Sequence, residues 1–238
     1  MGKNVLLIGA SGDIGGAIAE SLASEGYKLI LHYHKNKQAI DRYRLNLNNE
    51  SILTEIQADL SVQSEVKQLL LELVFPVDAI IFASGKAHYG LFQDSDERVM
   101  DEMLALHVKT PWLITKHLLP AMIQNKQGKI IFITSIWGEI GASNEVMYSS
   151  LKGAQNSFVK ALAKEVAPSG ISVNAVSPGF IDTKMNNHLL PVEKETITSD
   201  IPINRAGTAD DVANAILFLI NDKSSYIQGE IINVTGGW

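Results

Sequence analysis

The chain has 238 residues, 46% of them hydrophobic, with 26 acidic against 20 basic side chains and a net charge of −6. That balance argues against a general nucleic-acid or anionic-membrane binder, since both want a basic excess, and the length and apolar content suit one large α/β unit. The absence of cysteine excludes disulfides, thiolate nucleophiles and Cys–metal sites, and fits a reducing compartment.

The N-terminal stretch MGKNVLLIGASG holds too short an apolar run for a secretion signal, and Leu6 spoils a myristoylation motif. No stretch approaches the about 18–20 apolar residues of a membrane span. A soluble, cytoplasmic protein is expected. A first strand at 4–9 runs into GASGDIGG, and a helix at 14–25 follows. Gly9, Gly12 and Gly15 let the chain turn tightly, with Ser11, Asp13 and Ile14 completing the turn, and bring backbone N–H groups close to a phosphate. A glycine triplet alone fits a plain structural turn. Placed directly after strand one of an alternating chain, it points to dinucleotide binding.

The second strand, 28–33, ends in LHYHKNK. A site for NAD places a carboxylate there for the ribose 2′-hydroxyl, yet His32, Tyr33, His34, Lys35 and Lys37 all precede the next carboxylate, Asp41. A basic cluster where a 2′-phosphate would lie favours NADP(H), the histidines counting only in part because they are mostly neutral at pH 7.

A helix at 36–46, a strand at 52–57, a helix at 62–73 and a strand at 78–83 follow. The next helix, 96–125, is broken by Pro111, which has no N–H for the His107 carbonyl and clashes with it at a cost of about 3 kcal/mol. A strand at 129–134 leads into Ser135, and the helix at 145–167 carries Tyr148 and Lys152, four residues apart and so on one face. A tyrosine with the usual pKa of about 10 is a poor base at neutral pH. A neighbouring ammonium is expected to stabilise the phenolate and lower that value, making the hydroxyl a usable acid or base. Ser135, at the carboxyl edge of the sheet, is placed to hydrogen-bond a substrate oxygen.

A strand at 171–176 precedes the long irregular stretch 177–207, read as a lid over substrate, with a variable surface excursion as the alternative. A helix at 208–221 and a strand at 230–234 close the chain. Strands apolar at consecutive positions suit a parallel sheet covered on both faces. The whole reads as an α/β, Rossmann-type, doubly wound, parallel seven-stranded sheet in a single domain spanning 1–238. His32, His34, His88, His107, His117 and His188 lack metal-ligand spacing, so no metal site is expected.

From Lys3 to Trp238 the sequence resembles the classical short-chain dehydrogenase/reductases, through the glycine turn, ADL at 58–60, FASG at 82–85, Ser135, YSSLK at 148–152, VNAVSPGFIDT at 173–183 and the closing GEIINVTGG. Within that family it is most similar to the 3-oxoacyl-[acyl-carrier-protein] reductases, above all through KALAKEVAPSGISVNAVSPGFIDTKM. The resemblance implies that Asp59 and Leu60 flank the adenine and that Ala83, Ser84 and Gly85 line the adenosine ribose. Lys152 would hold the nicotinamide ribose, and Pro178, Gly179, Ile181 and Thr183 would seat the carboxamide end. Tyr148 would protonate a carbonyl oxygen oriented by Ser135. The implied activity is NADPH-dependent reduction of a ketone, most naturally a 3-oxoacyl thioester in fatty acid biosynthesis. The alternatives are the same chemistry on a sugar, polyol or secondary metabolite, or a weakly catalytic NADP(H)-binding protein. A homotetramer or homodimer is expected from the family.

Three departures from the family pattern stand out. Asp13 takes the place of the middle glycine and is expected to face solvent or cap the helix. FASG replaces Asn-Asn-Ala-Gly and keeps Gly85. His107 stands where the family has an asparagine whose backbone carbonyl holds a water that passes protons to the lysine. It either still presents that carbonyl, left free by Pro111, or is a packed helix histidine. An acyl-carrier-protein docking surface is half supported, by Lys126 and Lys129 but with Ser169 where a second basic residue often sits. Trp112 and Trp137 read as packing residues, Trp137 with a place in the substrate pocket as the alternative, and Trp238 is a candidate for contact with a neighbouring subunit.

Overall fold

Seven runs rich in Ile, Val and Leu form one parallel sheet in the order β3-β2-β1-β4-β5-β6-β7. The strands are β1 (Asn4–Ile8), β2 (Lys28–Tyr33), β3 (Ile52–Gln57), β4 (Ala79–Phe82), β5 (Gly128–Ile133), β6 (Ile171–Pro178) and β7 (Ile231–Val234). The computed structural model describes residues 3–45, 47, 49–187 and 189–238, so His188 and the last residue of the helix expected at 36–46 lie outside the described residues.

The helices are α1 (Asp13–Ser24), α2 (Lys37–Arg44), α3 (Gln63–Glu72), α4 (Glu97–Leu104), α5 (Thr110–Asn125), α6 (Trp137–Ile140), α7 (Val146–Val166), α8 (Pro191–Asp200) and α9 (Ala209–Ile220). Successive side chains of a strand point to opposite faces, and both faces here are covered. Val5 and Leu7 pack with Ile18 and Leu22 of α1 and Val212 and Ile216 of α9. Leu6 and Ile8 pack on the other side with Leu69 of α3, Ile114 of α5 and Val159 of α7. This two-sided burial is why the strands are apolar at consecutive positions.

The helix expected at 96–125 is three pieces: α4, a π turn over Ala105–Lys109, and α5 with Pro111 in its first turn. The π turn ends directly before Pro111, so the proline falls in the first turn of α5, where its missing N–H costs no helical bond. The stretch 177–207 is less irregular than its sequence suggests. It contains α8, started by Pro191 and by the Glu193 carboxylate accepting from the Leu190 N–H at 2.7 Å. No helix among the described residues is long and apolar enough to cross a membrane.

Candidate active site

In doubly wound sheets, ligands bind beyond the carboxyl ends of the strands where the strand order reverses. Here that point lies between β1 and β4. A cleft of about 890 Å³ opens there, lined by Gly9, Ser11, Gly12, Asp13, Ile14 and Gly15 of the turn, by His32, His34 and Lys35 after β2, and by Asp59 and Leu60 after β3. Ala83, Ser84 and Gly85 after β4 and Thr183 and Lys184 after β6 also line it.

The turn's glycines are not equivalent. At Gly9, φ is +89° and a Cβ would sit 2.5 Å from the Ser84 nitrogen, and at Gly15 a Cβ would meet the Gly9 oxygen at 2.2 Å. Both positions therefore require glycine. Gly12 does not, because a Cβ there would make only an ordinary 3.5 Å contact. Gly12 is the N-cap of α1 and offers no side-chain cap, which leaves the first N–H groups of the helix for a ligand. This cradle fits a pyrophosphate. Asp13 departs from expectation. Its Oδ2 accepts from the Lys184 N–H at 2.7 Å and its Oδ1 pairs with Lys184 Nζ at 3.0 Å, tying the turn to the segment after β6. Burial alone would raise its pKa, but the Lys184 contacts hold the carboxyl below its ordinary value.

The residues after β2 divide by role. His32 is buried, its Nδ1 accepts from the Gly9 N–H at 3.1 Å, and its Nε2 lies 3.0 Å from the Ala58 carbonyl. Those partners fix the Nε2-protonated, neutral tautomer, and burial pulls its pKa down to about 4. It is a structural strut and adds no positive charge. Tyr33 is buried in the core and does not line the cleft. Lys37 pairs with Glu55 at 3.7 Å, and His34 lies 3.3 Å from Asp59. Lys35 remains as an exposed cation at the cleft. Of the residues expected at the carboxamide end, Thr183 lines the cleft, Ile181 belongs to the core, and Pro178 and Gly179 are not among the lining residues, Gly179 being closely packed on Thr235.

Ser135, Tyr148 and Lys152 come together at the carboxyl edge of β5. The Ser135 side chain acts on the Tyr148 hydroxyl, tending to lower its pKa, and the Trp137 N–H donates to Ser135 Oγ at 3.2 Å. Lys152 Nζ lies 5.5 Å from the centre of the Tyr148 ring. It donates to the Ile133 carbonyl at 2.8 Å and to Gln155 Oε1 at 3.1 Å. The group is buried behind the cleft lining, with exposures of 8%, 9% and 2% for Ser135, Tyr148 and Lys152. Burial pushes the Tyr148 hydroxyl up, against the lowering expected from a nearby ammonium, and pulls Lys152 down to about 7. Nζ donates to two carbonyl-type oxygens and makes no hydrogen bond to the phenol.

His107 lies in the π turn, fully buried, with its ring edge-on to Tyr148 at 5.7 Å. Its Nε2 contacts the backbone of Lys86, and burial, then the Lys152 charge, draw its pKa down to about 3, so the ring is neutral. Both sequence readings are partly met, because the residue is packed and also presents its carbonyl to the site. The expectation that this carbonyl is free does not hold. Gln155 Nε2 donates to it at 2.7 Å.

Two residues that hold the site escaped the sequence reading. Gln155 is one. Gly138 is the other, since a Cβ there would lie 2.7 Å from the Lys152 carbonyl carbon, so glycine lets α6 press against α7 beside the lysine. Trp137 and Trp238 pack together at 5.3 Å, Trp238 keeping 38% of its surface exposed, and Trp112 lies 6.0 Å from Phe158. Lys129 is buried, with Nζ turned toward the Asn221 carbonyl and Ser224, so it does not contribute to a basic surface. Lys126 is exposed.

A family model described as "Enoyl-(Acyl carrier protein) reductase" matches residues 9–238. The chain belongs to the short-chain dehydrogenase/reductase family. It is 50% identical to YmfI of Bacillus subtilis, described as an uncharacterized oxidoreductase, over 100% of this chain and 99% of that protein. It is 33% identical to the 3-oxoacyl-[acyl-carrier-protein] reductase FabG of Escherichia coli over 99% of this chain and 97% of that one. Among solved structures it superposes with a TM-score of 0.93 and 27% identity on a protein from Beutenbergia cavernae, described as "a putative NAD(P) dependent gluconate 5-dehydrogenase" with bound NADP. That match covers 100% of this chain and 96% of the other. The chain is thus an oxidoreductase of this family.

Proposed function

We propose that the protein reduces a ketone to a secondary alcohol with NADPH and that its substrate is a 3-oxoacyl thioester. The observation that carries this reading is the clustering of Ser135, Tyr148 and Lys152 at the carboxyl edge of β5, beside a nucleotide-sized cleft. Gly9 and Gly15, the uncapped start of α1 and the Lys35 cation are suited to hold the cofactor, Lys35 by pairing with a 2′-phosphate. A bound reduced nicotinamide supplies the hydride. Tyr148 donates its proton to the carbonyl oxygen as general acid, and because burial raises its pKa the hydroxyl carries that proton at neutral pH. Ser135 Oγ orients that oxygen by a hydrogen bond. Lys152, as ammonium, stabilises the phenolate left on Tyr148.

The thioester assignment is supported by the similarity to FabG over nearly the whole of both chains. A sugar-acid substrate is the second reading, favoured by the likeness to the protein described as a gluconate 5-dehydrogenase. Docking to an acyl carrier protein draws no support from Lys129, which is buried. The test is NADPH oxidation measured with acetoacetyl thioester, crotonyl thioester, 5-ketogluconate and simple ketones. Preferential turnover of the acetoacetyl thioester is expected. Preference for the keto sugar acid would transfer the assignment to the second reading, and preference for the crotonyl thioester would overturn ketone reduction.

A further inference from the structure

Lys152 is 2% exposed, and a buried ammonium persists only when it is paired or its protons are hydrogen-bonded. Nζ reaches two oxygens, the Ile133 carbonyl from β5 and the Oε1 of Gln155 from its own helix. Gln155 is itself buried, at 4% exposure, and its amide cannot turn over. The His107 carbonyl can only accept, so the NH₂ end must face it, at 2.7 Å, and the oxygen must face Lys152, at 3.1 Å. The chain Lys152 Nζ–Gln155–C=O107 is therefore a one-way string of dipoles whose negative end always meets the lysine. The π turn before Pro111 brings the His107 carbonyl to the end of that string.

We infer that Gln155 is a positioning residue that holds Lys152 as a hydrogen-bonded ammonium beneath Tyr148 and closes the path from Lys152 to the His107 carbonyl to proton transfer. Oε1 carries no proton to hand on, so the proton that Tyr148 loses in each turnover is replaced from solvent and not through Gln155 from the His107 side. This second part rests on the role proposed above for Tyr148, while the first stands on the geometry alone. The titratable groups facing Lys152 do not supply the counter-charge. His107 on the π turn is neutral, and Tyr148 on the same helix keeps its proton because burial raises its pKa. Glu145 at the start of α7 acts on Tyr148.

The test is the titration of Lys152 itself, followed by the 13Cε shift in 13C-lysine-labelled protein and assigned with Lys152→Arg. Burial already pulls Lys152 down to about 7, inside the accessible pH range. Gln155→Met keeps the length and loses both hydrogen bonds. Its Lys152 midpoint is expected about one pH unit below wild type, the loss of one hydrogen bond to a charged group. Gln155→Glu presents a carboxylate to Nζ, and its midpoint is expected above wild type. The alkaline limb of kcat should move with each midpoint while KM for NADPH stays within about twofold. A Gln155→Met midpoint equal to wild type overturns the inference. So does a Gln155→Glu midpoint no higher than wild type, which keeps the test alive if the Met variant does not fold. If the midpoints move as expected but the wild type reduces no ketone, the positioning role stands and the proposed function falls.

Discussion

Lowering the pH from 7 to 5 sets the folded chain against the unfolded one at two buried histidines, His32 and His107. An unfolded histidine takes up a proton near pH 6.5. In the fold, burial holds His32 at about 4 and His107 at about 3, and Lys152 adds to the depression at His107. Both folded values lie below the unfolded one, so the unfolded chain gains protons first. The full stability is present above pH 6.5 and is lost as pH falls toward the folded values. Each histidine loses about 1.4 kcal/mol per pH unit in that window, or about 2 kcal/mol between pH 6.5 and 5 and about 4 kcal/mol for the pair. Urea unfolding followed by circular dichroism at several pH values measures the slope directly. His107→Asn and His32→Asn will each be less stable at pH 7 through lost hydrogen bonds, but each should lose about 2 kcal/mol less than wild type on acidification to pH 5. Carboxylates contribute equally to wild type and variants and cancel in the difference. Slopes in the variants equal to the wild-type slope would refute the buried-neutral assignment.

Lys35→Glu should weaken NADPH binding at least about tenfold and leave NADH binding unchanged or tighter, because it replaces a cation at the proposed 2′-phosphate site with an anion. An equal loss for both cofactors, measured by fluorescence titration, would remove Lys35 from that role. Gly15→Ala should destabilise the fold by about 2 kcal/mol or more and abolish cofactor binding, because its Cβ would lie 2.2 Å from the Gly9 oxygen. Gly12→Ala should stay within about 1 kcal/mol of wild type, its φ being an ordinary −78°. Equal thermal shifts for the two alanines would contradict the different roles assigned to them.

The seven strands were legible because each is a short β-branched or leucine-rich run, and covering both faces of the sheet leaves such runs apolar throughout. The glycine turn and the trio Ser135, Tyr148 and Lys152 were legible because strand ends and helical spacing place them without knowledge of packing. Other features depend on three-dimensional neighbours. The basic look of LHYHKNK dissolves once His32 is seen accepting from Gly9, Tyr33 entering the core and Lys37 turning to Glu55. Gln155 reads as one more polar residue of a long helix until the π turn delivers a carbonyl to it. Pro111 did mark a real irregularity, but the exposed acceptor it suggested is taken by that amide. Helix α8 was hidden by a polar sequence with few buried side chains, and Pro191 at its first position with Glu193 two residues on was the available signal. Asp13 looked like a carboxylate to be turned outward. Its partner, Lys184, is too distant in sequence to suggest itself.

The central claim is that Tyr148 gives its proton to the substrate oxygen. It is tested most directly by single-turnover NADPH oxidation in wild type and Tyr148→Phe, on whichever ketone the wild type reduces, with NADPH affinity measured alongside. The account predicts a loss of at least about 100-fold in the rate, the usual scale for removing a general acid, with the NADPH dissociation constant within about threefold of wild type. Undiminished turnover in Tyr148→Phe would contradict it.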